Sequence, residues 1–448
     1  MDLATTRRAI VSSLILAGLS TLSGHARADF IYARLVPGAG LEPNGASTAV
    51  DVSSGGRTVV FSSEAKNWVG DTYNGTRAVA VDLDTGMIEA VSAQGGTVFR
   101  GETPVVSGDG RYVAFLTVNP SYGPNWQVLR KDRQTGALEL ASADAAGQPA
   151  SSGTNDNTVS ISADGRYVAF QADANLTSIA GRPDGASVPA GSSGGIYVKD
   201  MSTGQIKLAS VMSNGASAGS CSLQPHALSG TGRYLTMICS DAMVPGATGG
   251  QAYVRDLQAN TTELVSRSAS AVNGSSAFAY RPAISPGGRF VSFQNRGYGG
   301  LGYADGVAIE SNSGLYLRDR QTGTTVAIPR PAIIPAGSYD SCAVSAVSDI
   351  ASVVLHCNYA WTGAGSYPQV FLFVPGAGAP EMISVTPAGQ PGNSGSGDTL
   401  AVNASGLSMA WESNASNIDP GDGNGKSDIF VLVDESVLSD TIFANGFE

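Results

Sequence analysis

Charge is scarce in this sequence. Asp, Glu, Lys and Arg make up 14% of the 448 residues, and no run of Lys and Arg exceeds two. A nucleic-acid binder neutralises phosphates with a basic stripe, whereas the formal charge here is −11. Nucleic acid is therefore excluded as a partner. Histidine is limited to His25, His226 and His356, and the four cysteines include no Cys-x-x-Cys pair. That removes the thiolate spacing of structural zinc sites, and no metal or cofactor is expected. Apart from residues 9–22 there is no long apolar run, so no transmembrane segment is expected in the mature chain. No Gly-x-Ser-x-Gly nucleophile elbow, the strand-to-helix turn of a serine hydrolase, is read in it.

What the chain does have is glycine, 57 residues of it, set among Val, Ser, Thr and Tyr. That mixture favours short strands and many turns, and a hydrophobic content of 42% is enough for a packed core. The beginning reads as an export leader over residues 1–28. Arg7 and Arg8 precede the apolar stretch Ala9 to Leu22, and Ala26-Arg27-Ala28 is a small-x-small cleavage site. Thr6-Arg7-Arg8-Ala9-Ile10 loosely resembles a twin-arginine signal. Loss of Arg7, Arg8, Arg27 and Asp2 would take the charge from −11 to −13. A periplasmic or extracellular location is expected.

One phrase recurs. It reads Val52-Ser-Ser-Gly-Gly-Arg-Thr-Val-Val-Phe61, Val106-Ser-Gly-Asp-Gly-Arg-Tyr-Val-Ala-Phe115 and Ile161-Ser-Ala-Asp-Gly-Arg-Tyr-Val-Ala-Phe170. It returns at Leu228–Met237 and Ile284–Phe293, and in degenerate form at Val347–Leu355 and Val402–Trp411. With Arg57, Arg111, Arg166, Arg233, Arg289, Ala351 and Leu407 as equivalents, the spacings are 54, 55, 67, 56, 62 and 56. Each copy is a tight hairpin in which Gly supplies a positive φ. A second phrase follows, as in Val128-Leu-Arg-Lys-Asp-Arg-Gln-Thr-Gly136 and Leu315-Tyr-Leu-Arg-Asp-Arg-Gln-Thr-Gly323. It is a strand, an Asp-x-x-Thr-Gly turn and a short last strand. Each unit thus has four antiparallel strands, A to D, and fits one propeller blade.

These two phrases resemble the TolB-type, WD40-like propeller repeats of exported bacterial proteins, over residues 30 to 434. The fold class expected is all-β: a seven-bladed β-propeller over 29–437, with 438–448 as a C-terminal tail. The seventh unit has no D strand of its own. Arg34-Leu35-Val36 matches the D-strand pattern Glu263-Leu264-Val265, so the N-terminal segment is expected to complete the last blade and leave no open edge. Aligned by repeat, Cys239 and Cys357 share a position on strand B, while Cys221 and Cys342 lie just before the paired strand A. The register puts Cys221 opposite Cys239 and Cys342 opposite Cys357, and two local disulfides are expected.

The A–B and C–D turns share one end of the ring, and the longer B–C and D–A connections share the other. Recognition usually falls on such loops. Trp68, Tyr73, Tyr122, Tyr298, Tyr303, Tyr359 and Trp361 lie there and are the binding-face candidates, with Phe99 and Tyr280 on D–A connections. The channel-lining A strands offer only Asp51 and His226 as acid–base groups. A glycosidase needs paired carboxylates and a metal-dependent lyase several ligands. No catalytic residue is therefore assigned. The function expected is a binding or scaffolding module for a protein or cell-envelope component, glycan included. The alternatives are a polysaccharide-acting hydrolase or lyase and a glycan-binding lectin or adhesin. The oxygen-rich stretch Asp419-Pro-Gly-Asp422-Gly-Asn424-Gly-Lys-Ser-Asp428 lacks EF-hand spacing and reads as a solvated turn rather than a calcium site.

Overall fold

The computed structural model describes residues 15–16, 30–38, 41–151, 154–172, 176, 194–216, 218, 220–247, 250–267, 278–296, 313–329, 342–361 and 365–438. Seven antiparallel four-stranded blades follow one another around a ring. The first is Ser47–Val52, Thr58–Ser63, Arg77–Asp82 and Ile88–Ala90. The A strands of blades two to seven are Glu102–Val106, Thr154–Ile161, Cys221–Ser222, Phe278–Ile284, Cys342–Val347 and Ser396–Val402.

Blade seven is completed from the other end of the chain. Phe30–Arg34 pairs antiparallel with Asp428–Asp434, register Tyr32 to Leu432, and serves as strand D. The two-residue strand Ile15–Leu16, within the expected leader, lies on its outer side.

Alternation along each strand sends side chains to both faces of a blade. The core accordingly lies between neighbouring blades. Ile31, Ala33, Ile429 and Val431 of blade seven meet Val59, Phe61, Val79 and Val81 of blade one. Other clusters fill the blade-two/three and three/four interfaces in the same way.

The two sequence phrases prove to be halves of one contact. The Arg after the A–B turn makes a two-pronged salt bridge to the Asp that ends strand C: Arg111 to Asp132, Arg166 to Asp200, Arg233 to Asp256 and Arg289 to Asp319. Each guanidinium also stacks on the following ring, as Arg166 does on Tyr167 with 4.9 Å to the centroid. In blade six the Arg and Asp positions are Ser352 and Phe373, and in blade seven they are Leu407 and Val433. The pair is lost as a pair.

The sixth copy sits one residue away from the alignment used above. Ala351 has φ 66 and donates its N–H to Ser348 O, as Gly110 does to Ser107 O. Ala351 thus holds the turn-glycine position, and the hairpin keeps its geometry without the glycine. Elsewhere the glycine is also needed for space. A Cβ on Gly165, at φ 69, would stand 2.2 Å from the Tyr112 ring of the preceding blade. Gly165→Ala is expected to cost about 2–4 kcal/mol, combining left-handed strain with overpacking, as read from denaturant unfolding. A loss below about 1 kcal/mol would contradict this packing.

Both disulfides join the expected partners, Cys221 to Cys239 and Cys342 to Cys357, on directly facing positions.

Candidate functional site: the mouth of the central channel

The two ends of the ring differ. At the A–B end, neighbouring turns bond to one another: Gly55 N to Gly108 O, Gly108 N to Ala163 O, Ala163 N to Gly230 O, Gly230 N to Pro286 O and Asp349 N to Ala404 O. Ser408 Oγ to Gly56 O carries the lacing from blade seven to blade one. Neighbouring turns at that end are thus tied to one another around the ring.

At the other end the A strands splay. Register shifts interrupt A–B pairing in blades one, two, three, five, six and seven. In blade four, strand A stops at Ser222 and a turn follows. Ala49, Thr103, His226 and Arg281 take φ values from 45 to 54, backbone strain of the kind that collects at functional sites. The freed amides are held by side chains. Ala49 N donates to Glu412 Oε2, Val50 N to Thr399 Oγ1 and Thr103 N to Ser62 Oγ.

The result is a chamber of about 250 Å³. Val50, Pro104, Val105, Val159, Val344 and Leu400 contribute apolar wall, and Arg281 and Asp398 stand among its lining. Asp51 and His226 line both this chamber and a smaller cavity of about 60 Å³ toward the A–B end. They form the waist.

The only two acid–base groups read on the A strands are therefore brought together. His226 Nδ1 lies 3.8 Å from Asp51 Oδ1, and its Nε2 lies 3.0 Å from the Leu400 carbonyl. That carbonyl can only accept, so Nε2 carries the proton of the contact. The strained turn of blade four thus reaches across to blades one and seven. Asp51 accepts from Val52 N at 2.8 Å and Val106 N at 2.9 Å. Burial pushes its carboxyl up, opposed by His226 and these two amides. The pair can bind a hydrogen-bond donor or pass a proton between two groups.

Behind the rim, burial pushes Glu412 up to about 7 against the hydrogen bonds from Ala49 and Thr399. Asp428 is likewise pushed up to about 6 by burial, against Arg34. In both, the folded pKa exceeds the unfolded one, so the native state holds protons that the unfolded chain has released. Stability is therefore full near pH 4 and falls as pH rises through about 6 to 7. Asp319 is held down at about 2 by Arg289, and such pairs lose stability only as pH falls below about 4. The melting temperature is expected to be higher at pH 5 than at pH 8, and Glu412→Gln to flatten that slope. A higher melting temperature at pH 8 would contradict these environments.

The described aromatic candidates differ in exposure. Trp68 is a correction: it is 3% exposed and packs edge-on to Phe61 at 4.9 Å, so it plugs its own loop instead of presenting a contact surface. Tyr73 is half-buried beside Arg77, and Tyr122 half-buried with its hydroxyl 3.4 Å from Gln94 Oε1. Tyr298 and Tyr303 lie outside the described residues. Tyr359 and Trp361 fall at the tip of the blade-six hairpin Val353–Trp361/Gly365–Phe373, whose nine-residue strands are longer than the six-residue B and C strands of blade one. Phe278, Tyr280 and Tyr367, on the same end, are 53%, 40% and 36% exposed.

The Asp419–Asp428 stretch is not a solvated turn either. Asp419, Asp422 and Asp428 are buried around Arg34. Arg34 Nε donates to Asp419 Oδ2 at 2.7 Å, and Nη1 to Asp428 Oδ2 at 2.8 Å. Nη2 reaches Gly421 O and Glu42. The equivalent C-strand position in blade one is Arg77, paired with Asp71; blade seven has an acid there and takes its cation from the closing strand. Among the described residues, no group of three or more His, Cys, Asp or Glu is arranged to hold a metal ion.

The Gly-x-Ser-x-Gly spacing does occur, at 191–195 and 215–219. Ser193 and Ser217, the central serines, lie outside the described residues; Gly195 opens the strand Gly195–Asp200.

Seven four-stranded sheets with the Arg–Asp turn contact decide the architecture. The chain is a seven-bladed β-propeller. Among solved structures, this propeller is similar to TolB from Acinetobacter baumannii, with 16% identity, 70% of this chain and 61% of that chain covered, and a TM-score of 0.36. It is similar to an oligogalacturonate lyase from Vibrio parahaemolyticus, with 9% identity, 90% and 94% covered, and a TM-score of 0.48. It is also similar to the tricorn protease, with 11% identity and a TM-score of 0.47, where 86% of this chain spans 33% of that one. Likeness at this level is a likeness of fold. No protein-family model and no curated protein matches the sequence.

Proposed function

We propose that this propeller is an exported binding module that engages a protein or cell-envelope component on its B–C/D–A end. The supporting observation is the asymmetry of the ring. At one end short turns are laced to one another by hydrogen bonds, and the other carries the chamber mouth, the long blade-six hairpin and the exposed rings of Phe278, Tyr280 and Tyr367. Exposed aromatic rings on a rigid scaffold are good anchors for a partner. Two disulfides suit an oxidising compartment, and residues 1–28 supply the leader, cut after Ala28. Among the described residues, no helix is long and apolar enough to cross a membrane.

The test is capture of a partner from envelope extract by wild type and by a Phe278→Ala, Tyr280→Ala, Tyr367→Ala triple variant. The variant is expected to lose the partner at an unchanged melting temperature. Equal capture would remove this face from the proposal. A second reading, a polysaccharide-acting enzyme, draws on the Asp51–His226 contact. A glycan screen with turnover lost in Asp51→Asn would favour it, and absence of turnover in wild type would set it aside.

A further inference from the structure

Asp51 is a carboxylate with an unusual setting in this molecule. The Asp residues that end strand C in blades two to five are forked by an Arg, and the three acids of blade seven surround Arg34. Asp51 is 8% exposed, and the ring nitrogen Nδ1 of His226 lies 3.8 Å from its Oδ1. Its two hydrogen bonds come from backbone amides. A buried carboxylate that lacks a close cation is costly unless something pairs with it.

The space above it is shaped for such a partner. From Ala49 at the rim to Asp51 at the waist is two residues of strand, about 7 Å at most, with Val50, Val105, Val159 and Leu400 around it. That is an apolar sleeve over a carboxylate floor. Among the described residues, the other charged groups at the mouth are Arg281, Asp398 and, behind Ala49, Glu412, so that carboxyls outnumber the guanidinium there, and the chain as a whole carries −11.

We propose that the chamber binds a primary alkylammonium group, its apolar stem against the valines and leucine and its ammonium on Asp51. The group can be carried by a free small amine or by a lysine side chain. A long hydrocarbon stem with a compact cationic head matches the sleeve and floor, and the ammonium replaces water on a desolvated carboxylate. The strained residues Ala49, Thr103, His226 and Arg281 hold the sleeve open before the ligand arrives. This goes beyond the aromatic face, since the probes below are too small to span it.

The experiment is NMR titration of the mature protein with n-butylammonium, 1-butanol, acetyl-Gly-Lys-Gly-amide and the Nε-acetylated form of that peptide. n-Butylammonium is expected to bind about tenfold or more tightly than 1-butanol, the scale of one charge-assisted hydrogen bond. Asp51→Asn is expected to erase the difference. Peptide binding that exceeds n-butylammonium and is lost on acetylation assigns the group to a lysine; binding of n-butylammonium without the peptide assigns it to a free amine. Val105→Phe fills the sleeve without touching Asp51, and is expected to abolish binding of every probe even if Asp51→Asn does not fold. Equal affinity for 1-butanol, no binding of either ammonium probe, or undiminished binding in Val105→Phe would each overturn the proposal.

Discussion

Arg34→Met is expected to destabilise the protein by about 3–5 kcal/mol. Arg34 is 1% exposed and is the cation shared by Asp419, Asp422 and Asp428, all buried. Methionine keeps the apolar stem but leaves three carboxyls without their counter-charge, and removing one partner of a buried ion cluster costs this much. The loss falls at the point of closure, because Arg34 is on strand D and the acids are on strand C of blade seven and the loop before it. Arg57→Ala is the control: its guanidinium is half exposed and 3.2 Å from Asp84, and a surface pair is worth about 1 kcal/mol or less. Denaturant unfolding of the two variants reads the difference. Arg34→Met within 1 kcal/mol of wild type would mean that the acids are not held by it.

The second large effect is expected from the cystines. Cys221–Cys239 and Cys342–Cys357 close loops with sequence separations of 18 and 15, worth about 3 kcal/mol each by loop-closure entropy. They lie in blades four and six, far enough apart for their effects to add. Their placement has a physical reason. In blade four the A strand is two residues long, and in blade six the Arg–Asp tie and the turn glycine are both missing. Each covalent tie thus backs a hairpin whose A strand is short or whose repeated contacts are missing. Cys→Ala replacement of either pair is expected to lower stability by about 3 kcal/mol, and of both pairs by about 6. Additive losses below 1 kcal/mol would show that the two hairpins hold without them.

Some of this was legible in the sequence and some was not, for reasons that differ by residue. The hairpin phrase named the blades because a turn requiring positive φ leaves a glycine at a fixed place. Blade six shows the limit of that signal: Ala351 takes the same conformation, so the alignment there slipped by one residue. The cystines were readable because the turn fixes the A–B register. Asp51 and His226 could be chosen as the polar residues on otherwise bland A strands, but their contact could not. His226 reaches Asp51 only because strand A of blade four breaks into a turn, and nothing in Gln224-Pro225-His226 announces which blade it will face.

Trp68 misled in the opposite direction. A tryptophan in a long connection reads as a contact residue, yet Phe61 on the adjoining strand offers it a ring to pack against. Arg34 was visible only as part of a D-strand pattern. Its partners lie 385 and 394 residues away in the chain, and an acidic loop by itself reads as solvated. Closure had to be known before the loop could be understood.

The closing strand is thus where sequence, packing and charge meet, and amide hydrogen exchange on the mature chain measures it most directly. The amides of residues 30–34 are expected to be protected to the same degree as those of Ile429–Val433, exchanging only on global unfolding. Exchange of residues 30–34 at the rate of a free terminus, with Ile429–Val433 still protected, would contradict a ring sealed by its own beginning.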